Sequence, residues 1–406
     1  MGKRRIYLDN HATTRVRDEV LEAMLPYFTE KYGNASSSTH QFGWEARNAV
    51  EKAREYAAQF IKTAPDNIVF TSGATESNNL VIKGICDSTQ EKIHIISSAI
   101  EHDCVLEALN SRAGVCEFTL LPVNKDGIID IEALEKTIEK NTKLISIMFA
   151  NNEIGSIQPI KEIGEICKER NIIFHTDAAQ ALGKVDIDVK EYGIDLLSAS
   201  AHKFNGPKGV GFLYVNRENK LIQLTRQMSG GHQENGYRSG TLNVPGIVGL
   251  GEAARLINER FSDEFWHLFQ LRNSLYDGLF NNNLAINLNG PSIKEDIANS
   301  EKNKEKTSAQ EVSRMLKRLP HNLHFSLDKI QATDLFSRVK NIAMSSGSAC
   351  SSDTAVKSHV LLALGLDDHK ISSSVRIGVG HDNTKEDIEE SIADIVSVLK
   401  ILGVTL

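Results

Sequence analysis

The chain has 406 residues, 41% of them hydrophobic and 24% charged, with a formal net charge of −7. That length exceeds one simple core and predicts a large domain with a smaller companion. The acidic balance, without a dense basic block, argues against nucleic acid as the main partner, and no apolar run approaches the roughly 18 to 20 residues that span a bilayer.

The N-terminal stretch Met1–Asp9 is basic but is followed by no signal-peptide apolar run. Ile6 stands where a myristoylation signal needs Ser or Thr. The five cysteines are Cys86, Cys104, Cys116, Cys167 and Cys350. An odd number without a CxxC pair argues against a disulfide framework and a dedicated metal site, and suits a reducing compartment, here the cytoplasm. Cys86 and Cys167 sit on helical patterns and read as small buried hydrophobes.

Helical periodicity occupies 18–31 and 44–62. Short apolar runs then recur at 67–70, 93–96, 144–148, 172–174, 196–198 and 210–215, with helix-like segments at 74–86, 103–110, 131–138 and 160–170. This alternation predicts an α/β fold with a mostly parallel sheet flanked by helices. A long helix over about 246–281 leads into a smaller α+β domain. The expected division is 15–260 for the large domain, with 1–14 and 261–406 forming the small one. The stretch 293–310 is polar and reads as a solvated loop or disordered insertion.

In such sheets chemistry collects at the C-terminal ends of strands, and the candidate residues fall there. Thr71-Ser72-Gly73-Ala74-Thr75 leaves one strand and opens a helix, where free N–H groups and the helix dipole suit an anion; a plain N-cap is the alternative. His102 follows another strand, placed either to stack on a flat ring and move protons or simply at the surface. Asn151-Asn152 either donates to a ligand or builds an Asx turn. Asp177 ends a strand, and Gln180 follows three residues later. Lys203 lies 26 residues beyond Asp177, room for a helix at about 187–193, a strand and two loops. A lysine that forms a Schiff base and an aspartate that holds a pyridinium nitrogen are the two protein groups pyridoxal phosphate (PLP) chemistry requires. The glycine-rich stretch 230–241 reads as a lid, a subunit-crossing arm or an ordinary loop. Cys350 sits among small polar residues, Ser345–Ser352, in a mobile loop expected over 345–356, where a reactive thiol is favoured over a structural one. Arg376 lies in a strand of the small domain and offers a bidentate grip on a carboxylate.

Taken together, Tyr7–Thr14, Gly73–Asn79, Glu101-His102, Asn151–Gly155, Thr176–Gln180, Ser200–Lys203, Arg238–Asn243 and Ser345–Cys350 resemble the cysteine desulfurases, over nearly the whole chain and in the family's order. The Cys350 segment is similar to the long-loop class that supplies sulfur for iron–sulfur clusters and nitrogenase. The resemblance implies PLP fold type I, L-cysteine as substrate, a homodimer and a sulfur-acceptor protein. It implies that Lys203 bears the cofactor, Asp177 pairs with its ring nitrogen and Gln180 with its phenolic oxygen. His102 stacks on the ring and assists proton transfer. Ala74, Thr75, Ser200 and His202 hold the phosphate, with Thr241 arriving from the partner subunit. Asn152 and Arg376 orient the substrate carboxylate, and Cys350 carries the persulfide. Three departures stand out: the polar insertion, a chain that stops at Leu406 without the family's scaffold-docking tail, and Ile330–Thr333 in place of a more acidic, glycine-bearing stretch.

Overall fold

The computed structural model describes residues 4–303, 307–346 and 357–406. Twelve strands occur among them. In chain order they are β1 (Ile6–Tyr7), β2 (Ile68–Thr71), β3 (His94–Ser98), β4 (Glu117–Leu121), β5 (Thr142–Ser146), β6 (Ile173–Asp177), β7 (Leu196–Ser200), β8 (Gly211–Val215), β9 (Ile286–Leu288), β10 (Asn322–Leu327), β11 (Ile342–Ala343) and β12 (Ser374–Gly378). Seven of them form one sheet in the order β2-β8-β7-β6-β5-β3-β4. All neighbours from β7 to β4 run parallel, and β8 runs antiparallel to both β2 and β7.

The strands obey the two-residue period of a sheet covered on both faces. Ile68, Phe70, Phe174, Leu197, Ala199, Phe212 and Tyr214 enter one core, packed under the helices Gln41–Phe60, Ile160–Arg170 and Val244–Phe280. Val69, Ile173, Leu196, Leu213 and Val215 face the other way, into a core closed by the helices Ala74–Cys86 and Asp103–Asn110. In that second core Cys86 and Cys116 lie with their sulfurs 3.1 Å apart. Cys86 is the small buried hydrophobe expected from its helical pattern, and it packs its thiol against a second one.

The 37-residue helix Val244–Phe280 joins two bodies. Its first part, from Val244 to Phe269, packs in the large core. Leu268, Leu271, Leu275 and Leu279 pack instead with β10, β12 and Leu8 in a separate cluster around the antiparallel sheet β12-β10-β9. The N-terminal strand β1 crosses to pair with β11.

Three expectations need correction. The connection from β6 to β7 carries turns over 189–193 rather than a helix. The edge strand β4 was not anticipated, because its only signal is a short alternation of Phe118 and Leu120 with Glu117 and Thr119, without the continuous apolar run of its neighbours. The stretch 293–310 does not begin as a solvated loop: Ile293–Asn303 is a helix, and Ile293, Asp296 and Ser300 are buried. Those positions are one helical stripe. Asp296 disguises it, a carboxylate turned inward to accept the Lys317 N–H at 3.1 Å and to face the charge of buried Arg272.

Candidate active site

Because β8 is reversed, its first residue meets the C-terminal ends of its neighbours: Gly211 pairs with Thr71 on one side and Ser200 on the other. At this sheet edge a cavity of about 470 Å³ is lined by, among others, Ala74, Thr75, His102, Asn152, Asp177, Gln180, Ser200, His202 and Lys203. Residues from five separate strand ends thus converge, as the location of chemistry in α/β sheets demands.

One end of the cavity is an anion cup. Gly73 has φ +149°, a conformation that favours glycine, and it leads into the helix Ala74–Cys86, whose first N–H groups have no intrahelical acceptor. A Cβ on Gly211 would sit 2.6 Å from the Gly73 Cα, so a glycine in β8 is what lets the turn close against the sheet. Glu76 ties the turn from below, accepting the Ser72 N–H at 2.8 Å and pairing with Arg238 at 2.9 Å. His202 is pushed down to about 4 by burial and by Lys203 and Lys208, so it faces the cup as a neutral ring.

Asp177 is 6% exposed. Its Oδ2 accepts from Asn78 Nδ2 at 2.7 Å and its Oδ1 from the Ala179 N–H at 2.9 Å. Lys203 lies across the same cavity, its Nζ donating to the carbonyls of His11 and Ala12 at 2.5 and 3.0 Å. Gln180 Nε2 donates to the His11 carbonyl at 3.0 Å and its Oε1 lies 3.1 Å from His11 Nδ1. With Asn322 Nδ2 donating to His11 Nε2 at 3.0 Å, the ring is the neutral Nδ1–H tautomer. Burial and the charges of Arg376 and Lys203 hold it well below the usual histidine range.

Glu101 and Asn151 build the far wall. Glu101 is fully buried and pushed up to about 8 by that burial. Its Oε1 accepts from Ser98 Oγ at 2.6 Å and from the Met148 N–H at 2.9 Å, locking the loop that presents His102 to the loop after β5. Asn151 accepts the N–H groups of Glu153 and Ile154 and donates to the Ile100 carbonyl. The asparagine pair divides its labour: Asn151 makes the Asx turn, and Asn152 lines the cavity.

The aminotransferase class-V family model matches residues 6–300. The chain is 46% identical, over 403 residues, to the mitosomal cysteine desulfurase of Trachipleistophora hominis, covering 98% of this chain and 87% of that one. It is 44% identical over 400 residues to cysteine desulfurase IscS of Rickettsia bellii, covering 98% and 92%. Among solved structures, a NifS-like protein superposes with a TM-score of 0.85 at 35% identity, covering 98% of this chain and 100% of that one. A complex of SspA with cysteine gives 0.77 at 35% identity, covering 92% and 98%. The chain belongs to the cysteine desulfurases.

These are PLP-dependent enzymes of fold type I. The donor set fits that cofactor: a helix N-terminus with Ser200 and His202 for a phosphate, a buried carboxylate for a ring nitrogen, and a lysine for an aldehyde. Two expected site residues stand outside the desulfurase cavity lining. Thr241 is exposed, three residues past the Arg238–Glu76 pair. Arg376 is 1% exposed and reaches the cavity through the Asn152 carbonyl at 3.1 Å, held by Asp9 at 3.0 Å and Ser345 at 2.9 Å. Cys350 lies outside the described residues. Sequence reasoning missed the roles of Asn78, Cys104 and His11. Asn78 and His11 lie within the Gly73–Asn79 and Tyr7–Thr14 stretches that carried the resemblance, and Cys104 was marked only by its closeness to His102.

Proposed function

We propose that this chain removes the sulfur of L-cysteine with PLP, releasing L-alanine and leaving a persulfide on Cys350 that passes to an acceptor protein for iron–sulfur or other sulfur-cofactor assembly. The observation that carries this reading is the convergence of Asp177 and Lys203 on one cavity that ends in a helix N-terminal anion cup. The bound cofactor supplies an electron sink for the pair released at the substrate Cα.

The protein's own groups do the rest. Asp177 would face the ring nitrogen, with Asn78 and the Ala179 N–H fixing its direction. Ala74, Thr75, Ser200 and His202 hold the phosphate, and Gln180 keeps one N–H for the phenolic oxygen. Lys203 takes the Cα proton at Nζ, aligned by the His11 and Ala12 carbonyls. Arg376, already charge-paired with Asp9, offers its guanidinium with Asn152 to the substrate carboxylate. The Cys350 thiolate then attacks the substrate sulfur. The Cβ–S electron pair stays with carbon, which leaves as alanine once protonated, and the sulfur remains on Cys350.

The reading extends to assembly. Leu21, Leu25, Phe28, Tyr32, Phe42 and Trp44 are exposed on neighbouring N-terminal segments, an apolar surface of the kind that seats a partner. A homodimer in which Thr241 enters the partner's anion cup accounts for it. We place the domain division at 15–260, with 1–14 and 261–406 as the small domain; along the long helix the large core runs on to Phe269, and Ala309, Val312, Leu316 and Leu319 also pack against it. Among the described residues no helix is long and apolar enough to cross a membrane. Cysteine usage suits the cytoplasm, and cell fractionation against an organelle lumen, where the mitosomal relative is named, decides the compartment.

The test uses two variants. Cys350→Ser is expected to keep the cofactor's absorbance band and lose both persulfide and alanine release; sulfide release retained under reducing conditions would refute the assignment. Lys203→Ala is expected to lose the covalent attachment that borohydride fixes.

A further inference from the structure

His102 caps the helix Asp103–Asn110 with its own ring. The Cys104 N–H donates to His102 Nδ1 at 3.2 Å, and the Cys104 Sγ lies 3.1 Å from the same nitrogen. A backbone N–H can only donate, so Nδ1 carries the lone pair and the ring proton belongs on Nε2. Asn78 Nδ2 donates to Cys104 Sγ at 3.1 Å and, with its other hydrogen, to Asp177 Oδ2 at 2.7 Å. The Asp177 carboxylate settles the orientation of that amide. A continuous chain therefore runs Asp177–Asn78–Cys104–His102, joining the carboxylate expected at the ring nitrogen to the imidazole expected over the ring. Cys104 also lines the cavity.

We propose that Cys104 is a positioning residue. With Asn78 it holds His102 as the Nε2–H tautomer, so that the imidazole meets the cofactor and substrate as a hydrogen-bond donor while Lys203 alone moves the Cα proton. The proposal rests on the reading that this cavity holds PLP with His102 against it. Adding a proton at Nδ1 would set N–H against N–H at the helix cap, which is why the ring is a poor proton shuttle in this seat. The thiol suits the role: it accepts from Asn78 and offers its weak S–H toward Nδ1 in the space of one methylene.

Nitrogen NMR of the holoenzyme labelled at histidine tests the tautomer, with the His102 signals identified by their loss in His102→Gln. Signals of a ring protonated at Nε2 are expected; a ring protonated at Nδ1 would overturn the proposal. In kinetics, His102→Gln, whose amide can place an N–H near the Nε2 position, is expected to keep kcat within about tenfold of the parent, whereas loss of a proton shuttle would cost about 10²- to 10⁴-fold. Cys104→Ala is expected to lower kcat about tenfold with KM within about twofold and to shift the pH profile of kcat, with Cys104→Ser restoring both. In His102→Gln/Cys104→Ala the Cys104 change should cost nothing further; independent, multiplying losses, or an unchanged kcat and pH profile in Cys104→Ala, would reject a role through His102. Failure of the underlying reading looks different: Lys203→Ala would then keep its borohydride-fixed cofactor.

Discussion

Two adjacent asparagines show how much one residue's surroundings decide. Asn151 is fully buried, with its amide oxygen held by two N–H groups and its amide nitrogen on the Ile100 carbonyl. Asn151→Ala is expected to destabilise the protein by about 1–3 kcal/mol through the unpaired backbone groups left behind, read as a fall in the urea midpoint. Asn152→Ala should leave the unfolding free energy within about 0.5 kcal/mol and instead raise KM for cysteine. The sequence left these two asparagines with the same pair of alternatives: Asn151 makes the Asx turn, and Asn152 faces the cavity where a ligand contact is proposed. Lys203, Asp177, His202 and Thr75 were legible because each stands at a strand end or helix start, where local pattern fixes direction. Asn78 and Cys104 were not, because their meaning depends on a helix and a strand end that are 99 residues apart in the Asn78–Asp177 contact.

At the scale of elements, the reversed strand β8 and the 230–241 loop, the arm of the proposed dimer, carry the cup. A Cβ on Gly211 would lie 2.2 Å from the Ala199 carbonyl oxygen as well as against Gly73. Gly211→Ala is therefore expected to open the Ser72–Ala74 turn and weaken cofactor retention, seen as faster loss of the yellow cofactor on dialysis. The arm is pinned by a buried bidentate pair: Arg54 donates to both oxygens of Glu234 at 2.9 and 2.7 Å, and Glu234 Oε2 also accepts the Phe70 N–H at 2.7 Å. Glu234→Ala removes the bidentate partner of a buried guanidinium, which keeps Glu51 at 3.2 Å and the Ile68 carbonyl at 2.7 Å, and should cost about 1–3 kcal/mol in urea unfolding. Elements with strong apolar periodicity, such as the helices Gln41–Phe60 and Ile160–Arg170, were readable from sequence. The helix Ile293–Asn303 was not, since two of the three residues in its inward stripe are polar: Asp296, held by the Lys317 N–H and facing Arg272, and Ser300, which donates to the Asp296 carbonyl at 2.7 Å.

At the scale of the whole molecule, buried imidazoles set the response to acid. Burial pushes His175 and His324 down to about 3 and His202 to about 4, and holds His11 and His321 well below the usual range. In the unfolded chain these rings take protons near pH 6.5, so below that pH the unfolded state binds more protons and stability falls. Glu101, raised to about 8, works the other way: its contribution improves as pH drops from 8 toward 4.5. Buried carboxyls raised by desolvation, Glu153, Asp195 and Asp296 beside Glu101, offset part of this, but the lowered rings, His381 among them, are more numerous, and stability is expected to fall between pH 7.5 and pH 5.5. Urea titrations at the two pH values measure it, and a midpoint that rises on acidification would contradict the histidine assignment. The sequence already grouped residues 1–14 with the C-terminal body, but it did not show what they do at the site. Leu8 is fully buried, Asp9 steadies Arg376, and His11 and Ala12 seat Lys203. An expression boundary drawn at residue 15, the tidy start of the first helical pattern, would therefore strip the lysine of its seat and the arginine of its counter-ion in a single cut, and any purification handle belongs at the opposite terminus.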